Sequence, residues 1–308
     1  MAGQVGWKTE VSWGTAVTVD TFVPVTSASL DIDEGYLRPA GIRAGRRTRN
    51  PGRVGARKVS GSVELELPNV SVAALMKHMF GAVSTTGAGP YTHTYTPGAH
   101  VGKSLTQQVG VEDAGGTVRP FTASGVKLGG WSLSCAVGDF AKLSYDWTAK
   151  DVVTATALAT ASYAAGLAPF TFVEGSISVN GTTVGSARSV TLSASKGLRD
   201  ERHVLGSRYI KEQLEEERFE FTSEIEADFE DLTLFALAPA ATQVASVLTF
   251  NNGTDTLTIT CSGQVIGDPP SLTSVGLESQ TIRLEHSHAT SDASAIQAVL
   301  VNTEASAA

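Results

Sequence analysis

Two cysteines, Cys135 and Cys261, are all that this chain of 308 residues holds. They are too few for a disulfide scaffold, and no CxxC spacing suggests zinc. Both sit in alternating stretches, WSLSCAV and TLTITCSG, which predicts ordinary buried thiols. No apolar run approaches the ~20 residues of a membrane span, so no membrane insertion is expected. The opening MAGQVGWKTE has no apolar signal core, which predicts synthesis in a cytoplasm. Basic residues are outnumbered, 23 against 31 acids for a net charge of −8. A protein that grips nucleic acid overall needs the reverse. A surface that DNA slides past is still compatible with this charge.

What remains is the composition of a β protein. Forty-two per cent apolar and 18% charged residues fit a globular chain, long enough for two domains of about 150 residues. Thirty-one glycines, with abundant Thr, Ser and Val, favour strands and turns. Period-two alternation marks strands at 25–33, 58–67, 104–113, 125–137, 141–147, 175–181, 189–195, 218–229, 256–265, 281–287 and 296–302. NGT at 180–182 and NNGTD at 251–255 are turn chemistry. Only 70–81 and 230–238 have helical spacing, the first through Val72, Leu75, Met76, Met79 and Phe80, the second through Leu232, Leu234 and Phe235.

Both helical segments follow a strand with the pattern Glu-x-Glu, which points to an internal repeat. An offset of 160 residues puts Glu64 on Glu224, Glu66 on Glu226 and Val72 on Leu232. A charged loop precedes each acidic strand, at 36–57 and 196–217, and a Ser/Ala-rich strand precedes each loop. Downstream, 141–150 takes the place of 295–304. The order predicts two β domains, 1–151 and 170–308, with an Ala/Thr-rich linker at 152–169. Residues 303–308 have no pattern and are expected to fray.

Sites for chemistry are few. GAHVGKS (98–104) resembles a phosphate-binding loop but is one residue short, has Pro97 where an N–H is needed, and leads into a strand. His286 and His288 would share a strand face without a third ligand, so solvated strand-end histidines are expected. The Tyr/His cluster YTHTYTPGAH (91–100) reads as a strand edge, and no nucleophile elbow is present. No catalytic residue, metal or cofactor is expected.

Charge patterning says more. Loop 36–58 holds Arg38, Arg43, Arg46, Arg47, Arg49, Arg53, Arg57 and Lys58 among four glycines, with Glu34 at its edge. It could clamp phosphates, dock on an acidic protein surface, or stay solvated. In RFEFTSEIEADF, Glu220, Glu224, Glu226 and Asp228 share the face opposite Phe219, Phe221, Ile225 and Ala227. Ser60, Ser62, Glu64 and Glu66 hold the corresponding face in the first half. Such a face is either the wet side of a half-exposed sheet or a wall built to repel phosphate.

GWKTEVSWGTAV, followed by TFVPVTSASLDI, resembles the start of tail tube proteins of siphophages and actinobacteriophages. So does GRVGARKVSGSVELELPNVSVAALMKHMFG, where a Gly/basic loop leads into Gly-Ser-x-Glu and a short helix. GVKLGGWSLSCAVGDFAKLSYDWTAKD is similar to the strand pair that closes the family's sandwich. The likeness covers most of 6–151 well and the second half more loosely. It implies a mainly β fold of duplicated tail-tube-type β-sandwich domains, each with one short α-helix, whose strands join an intermolecular β-barrel ring. It also implies a structural virion protein with no enzymatic role, assembled in the bacterial host cytoplasm as rings stacked into a tube. The implied partners are a tape measure protein, tail terminator and distal tail proteins, and double-stranded DNA in transient, non-specific passage. On this resemblance Glu64, Glu66, Glu220, Glu224, Glu226 and Asp228 line the lumen. Arg43, Arg46, Arg47, Arg49, Arg53 and Arg57 belong to the inter-ring loop, with 196–217 as its counterpart by the repeat. Two copies in one chain suggest three chains in a pseudo-sixfold ring, with six chains as the alternative. A two-domain β-sandwich binding module, such as a decoration protein or adhesin, is the rival reading.

Overall fold

The computed structural model describes residues 3–230, 232–237, 243–265, 279–288 and 294–307. Antiparallel strands dominate, with the helix Ala73–Phe80, the single turn Leu232–Phe235 and the 3-10 turn Phe172–Glu174 between them.

Alternation builds one long sheet. Its strands bond edge to edge in the order Ser27–Ala28 with Asp31–Asp33, Lys58–Glu66, Lys142–Ala149, the C-terminal part of Val118–Ala136, Ala187–Ser195, Glu220–Asp228 and Ser279–His286. Successive side chains on a strand point to opposite faces, so one face collects the apolar positions. Val63, Tyr145, Trp131, Ala194 and Phe221 form one bonded row across it. Leu65, Leu143, Leu133 and Leu192 form the next, and both rows are buried. Gly61 fits the same logic: a Cβ there would run into the Trp147 indole and the Ser29 carbonyl.

Two further layers cover this apolar face. Thr21–Phe22, Gln4–Thr9, Leu105–Glu112, the start of Val118–Ala136 and Asp151–Val153 make one. Thr182–Thr183, Gly175–Val179, Gln243–Asn251, Thr256–Val265, Ile296–Asn302, Tyr91–Pro97 and Gly81–Thr86 make the other. The 19-residue strand Val118–Ala136 crosses between layers, with a register shift between Leu128 and Gly130. Helix Ala73–Phe80 buries Leu75, Met76, Met79 and Phe80. The Phe80 ring lies 5.4 Å from Trp131 and 6.5 Å from Phe221, so residues from both halves share one core. The helix stops at Gly81, whose φ of 98° suits glycine.

The second half repeats the pairing scheme of the first. Gly175–Val179 bonds Gln243–Asn251 as Gln4–Thr9 bonds Leu105–Glu112. Glu220–Asp228 bonds Ser279–His286 as Lys58–Glu66 bonds Lys142–Ala149. Thr256–Val265 bonds Ile296–Asn302 as Val118–Ala136 bonds Asp151–Val153. One expected correspondence is thereby corrected. The counterpart of 141–150 is Ser279–His286, and Ile296–Asn302 takes the place of Asp151–Val153. The offset of 160 does not carry past the helix because the hairpin of Gly81–Thr86 and Tyr91–Pro97 has no counterpart among the described residues of the second half. That hairpin instead bonds Ile296–Asn302. The halves are therefore stitched twice, through Val118–Ala136 with Ala187–Ser195 in the long sheet and through Tyr91–Pro97 with Ile296–Asn302 in the covering layer.

Residues 303–307 differ from the expected frayed end. Glu304 accepts the Ser71 N–H at 2.8 Å, its carbonyl lies 2.9 Å from His93 Nε2, and Ala307 is buried.

Candidate functional site

The face of the long sheet away from the core is a continuous polar field. Its bonded rows run Glu66, Lys142, Ser134, Thr191, Glu224, Arg283 and Glu64, Ser144, Ser132, Ser193, Thr222, Glu285. Serine and threonine fill the middle and carboxylates flank it. Glu64, Glu66, Glu220, Glu224, Glu226 and Asp228 all project from this face because each alternates with a buried neighbour. The two acidic strands run in the same direction, four strand steps apart, or about 19 Å at the usual spacing. Asp31, Asp33, Asp146 and Glu285 join them by register. Asp146 and Glu285 were missed because each stands in a strand whose other charges gave no acidic pattern; Asp31 and Asp33 do alternate, but over three residues only. The cations Lys58, Lys142, Arg188 and Arg283 are each held by a carboxylate, from Asp200, Asp139, Asp228 and Glu224. The face as a whole therefore presents negative potential.

The two charged loops lie at one end of the long sheet and have diverged. Loop 36–57 continues Asp31–Asp33 and Lys58–Glu66 outward as a narrow arm, closed at its base by Tyr36–Leu37 against Arg53–Val54. Arg43, Arg46, Arg47, Arg49 and Arg53 are exposed on it. Among the described residues none of these five forms an ion pair with an acid. Arg57 is the exception: half-buried at the base, it pairs with Asp151 at 2.9 Å and with Glu34 at 3.4 Å. Glu34 also pairs with Arg208 of the second loop.

Loop 196–217 is folded down on the first half. Lys196, 1% exposed, donates to the His78 carbonyl at 2.5 Å and to His100 Nε2 at 2.8 Å. His100 Nδ1 meets Glu215 at 2.6 Å. His100 Nε2 also lies 3.2 Å from the His78 carbonyl. Burial, reinforced by the Lys196 charge, holds His100 down to about 3. Lys127 donates to Glu212, to the Gln213 carbonyl and to the His100 carbonyl. Burial lowers its pKa, with Glu212 opposing the shift. Burial would raise Glu212, but bonds from Lys127 and the Gly102 N–H keep it below the ordinary carboxylate value. Gln213, fully buried, receives the Trp13 N–H and reaches Thr148 and the Gly125 carbonyl. Loop 196–217 thus acts as a clamp, and only loop 36–57 stands free.

The remaining candidates serve the fold. In GAHVGKS, Lys103 donates to the carbonyls of Gly81 and Ala99, and the strand Leu105–Glu112 follows. His93 sits between Thr85 and the Glu304 carbonyl, and Tyr95 donates to the Ala73 carbonyl. His286 is not solvated as expected: it takes the core side after Ile282 and Leu284 and bonds Ser223 at 3.0 Å. Burial holds it down to about 4. The strand ends at His286, so His288 does not pair with it. Cys261 is buried, and burial pushes its thiol up to about 12. Cys135 is half-buried, and its pKa is raised by burial and by the Asp139 charge. No group of three metal-ligating side chains occurs among the described residues.

Comparison with known families matches residues 2–296 to the model described as phage tail tube protein. Comparison with curated proteins gives no match.

Proposed function

The chain belongs to the phage tail tube protein family, a structural component of the virion tail, and from that membership we propose that it polymerises as stacked rings into the conduit for DNA ejection. The observation that carries this reading is the seam between Val118–Ala136 and Ala187–Ser195. These strands hold different places in the repeated pairing scheme, so the seam is a copy-to-copy junction made inside one chain. On this reading residues 1–151 and 170–308 are two ring positions, joined by 152–169. Repeating the junction between chains would bond the second half of one subunit to Ser27–Ala28 and Asp31–Asp33 of the next. Among the described residues those strands bond a neighbour, Lys58–Glu66, along one edge only. Closure removes an open edge that otherwise invites aggregation.

The covering layers lie on the apolar face, so closure turns the polar face inward. Glu64, Glu66, Glu220, Glu224, Glu226 and Asp228 then line the lumen. Lys or Arg there would release counterions and deepen the hold on DNA. Carboxylates repel it instead, over roughly 8 Å at physiological salt.

Strand spacing favours three chains over six. The described residues supply seven strands to the long sheet, and the end of Thr256–Val265 bonds the outer edge of Ser279–His286 as an eighth. At about 4.8 Å per strand, three chains close a ring roughly 32–37 Å across at the backbone, and six close one of roughly 64–73 Å. The larger bore is far wider than a single DNA duplex requires. The exposed arm 36–57 would reach the next ring, three arms to a ring. A tape measure protein would fill the lumen during assembly in the host cytoplasm, with tail terminator and distal tail proteins at the two ends. Electron microscopy of the purified protein tests the whole reading: rings or tubes are expected, and a population of monomers at all concentrations would favour a binding module instead.

A further inference from the structure

Strand polarity gives the long sheet two unlike ends. Lys58, Ala149, Ser195 and Glu220 lie at the end that carries the arm; Glu66, Lys142, Ala136 and Asp228 lie at the other. A cavity of about 240 Å³ opens near this second end, lined by Cys135, Val137, Phe172, Ile177, Val184 and Phe250 among others. Apolar side chains beside it stand in water: Val137 is 65% exposed and Val173 77%. Asp139, Glu174 and Asp228 flank it, against Lys142 and Arg188. At the arm's tip Ile42 is wholly exposed, set in the segment RPAGIRAGRR. The arm thus offers an apolar tip within a positive field, and the cavity offers an apolar hole within a net negative rim.

We propose that this cavity is the seat of the arm from a second copy of this chain, with Ile42 entering the hole and the flanking arginines meeting Asp139, Glu174 and Asp228. The proposal rests on head-to-tail stacking, which sets the arm end of one ring against the cavity end of the next. Size agrees: a cavity of about 150 Å³ holds a benzene ring, so 240 Å³ accommodates an isoleucyl side chain. Glu215 offers no such seat: it lies at the arm's own end and is engaged by His100.

Cys135, half-buried in the cavity wall, supplies the test. A disulfide needs the two Cα atoms within about 7 Å. Tubes of Ile42→Cys, treated with an oxidant, should give a non-reducing ladder longer than one ring's worth of chains, and Ile42→Cys with Cys135→Ser should give none. Tubes that form without the ladder, or a ladder that survives Cys135→Ser, overturn the seat while leaving the tube reading intact. If the parent forms no tubes, the tube reading falls and the seat with it. A second comparison covers a cysteine variant that fails to assemble. Ile42→Leu should assemble like the parent and Ile42→Asp should need at least about tenfold more protein, at low and high salt alike. Equal assembly of the two, or capture of the cavity by a different protein in purified virions, is the contrary result.

Discussion

Glu10 is 4% exposed and accepts hydrogen bonds from the hydroxyls of Ser104 and Thr106 and from the N–H groups of Gly14 and Gly125. Removing its carboxylate leaves four donors without an acceptor in a site closed to water. Glu10→Ala should therefore lose at least about 2 kcal/mol of stability, read as a lower urea midpoint, with Glu10→Gln milder. The buried histidines set a pH dependence of definite sign. His100 and His286 are held to about 3 and about 4 in the folded chain, whereas an unfolded histidine takes up a proton near 6.5. Their contribution is full above pH 6.5 and is lost as pH falls toward the folded values. The slope is about 1.4 kcal/mol per pH unit for each. Urea midpoints measured between pH 7 and 4.5 should fall accordingly, and His286→Gln should remove one histidine's share of the slope. The histidines stood out in the sequence but their burial did not, and Glu10 and the buried Lys196 did not stand out at all. Glu10 in WKTEVSW and Lys196 in SASKGLR look like ordinary wet residues, because their partners lie far along the chain and no local spacing records them.

Strands and their faces were far more legible. A side chain's face depends on period two alone, so Lys58–Glu66 and Glu220–Asp228 could be read directly. Gln243–Asn251 was missed because apolar residues stand on both its faces, as QVASVLTFN shows. The placement of 295–304 was misjudged because an insertion, the hairpin Gly81–Pro97, shifts the second copy and leaves no mark on a fixed offset. The acidic face yields a test at this scale. Reversing Glu64, Glu66, Glu224 and Glu226 to Lys should leave tubes intact, since these groups project from the polar face, but should slow or stall DNA ejection. Unchanged ejection would show that the face does not meet DNA. The arm yields another. Exposed Arg–carboxylate pairs contribute only ~0.2–1 kcal/mol each, yet several to a subunit add up around a ring and are screened by salt. Replacing Arg43, Arg46, Arg47 and Arg49 with Ser should give soluble subunits or isolated rings, and parental assembly should weaken as salt rises. If the variant polymerises like the parent at both salt extremes, the arm is not the connector.

For the whole molecule the prediction concerns count and bore. Image analysis of assembled tubes should find three chains per ring, pseudo-sixfold in the strands and threefold in the arms. Six whole chains would refute the close packing of two ring positions into each subunit. Sequence carried the duplication and the charge difference between its loops, but not the fate of each. Loop 36–57 has seven arginines and no acid, whereas 196–217 mixes three arginines with five glutamates. Only the buried contacts of Lys196, Glu212, Gln213 and Glu215 turn one of them into a clamp.

The doubled stitching of the two halves has a mechanical meaning. Within a chain, neighbouring positions hold through the long sheet and again through Tyr91–Pro97 with Ile296–Asn302. The strand in the equivalent place in the first half, Asp151–Val153, pairs with no other strand than Val118–Ala136 among the described residues, and Val153 is exposed. A ring built this way would alternate double seams with single ones. Its wall would have a grain: hoop stress from a passing genome would concentrate on three evenly spaced lines, where the material would yield first, between whole subunits and never through one.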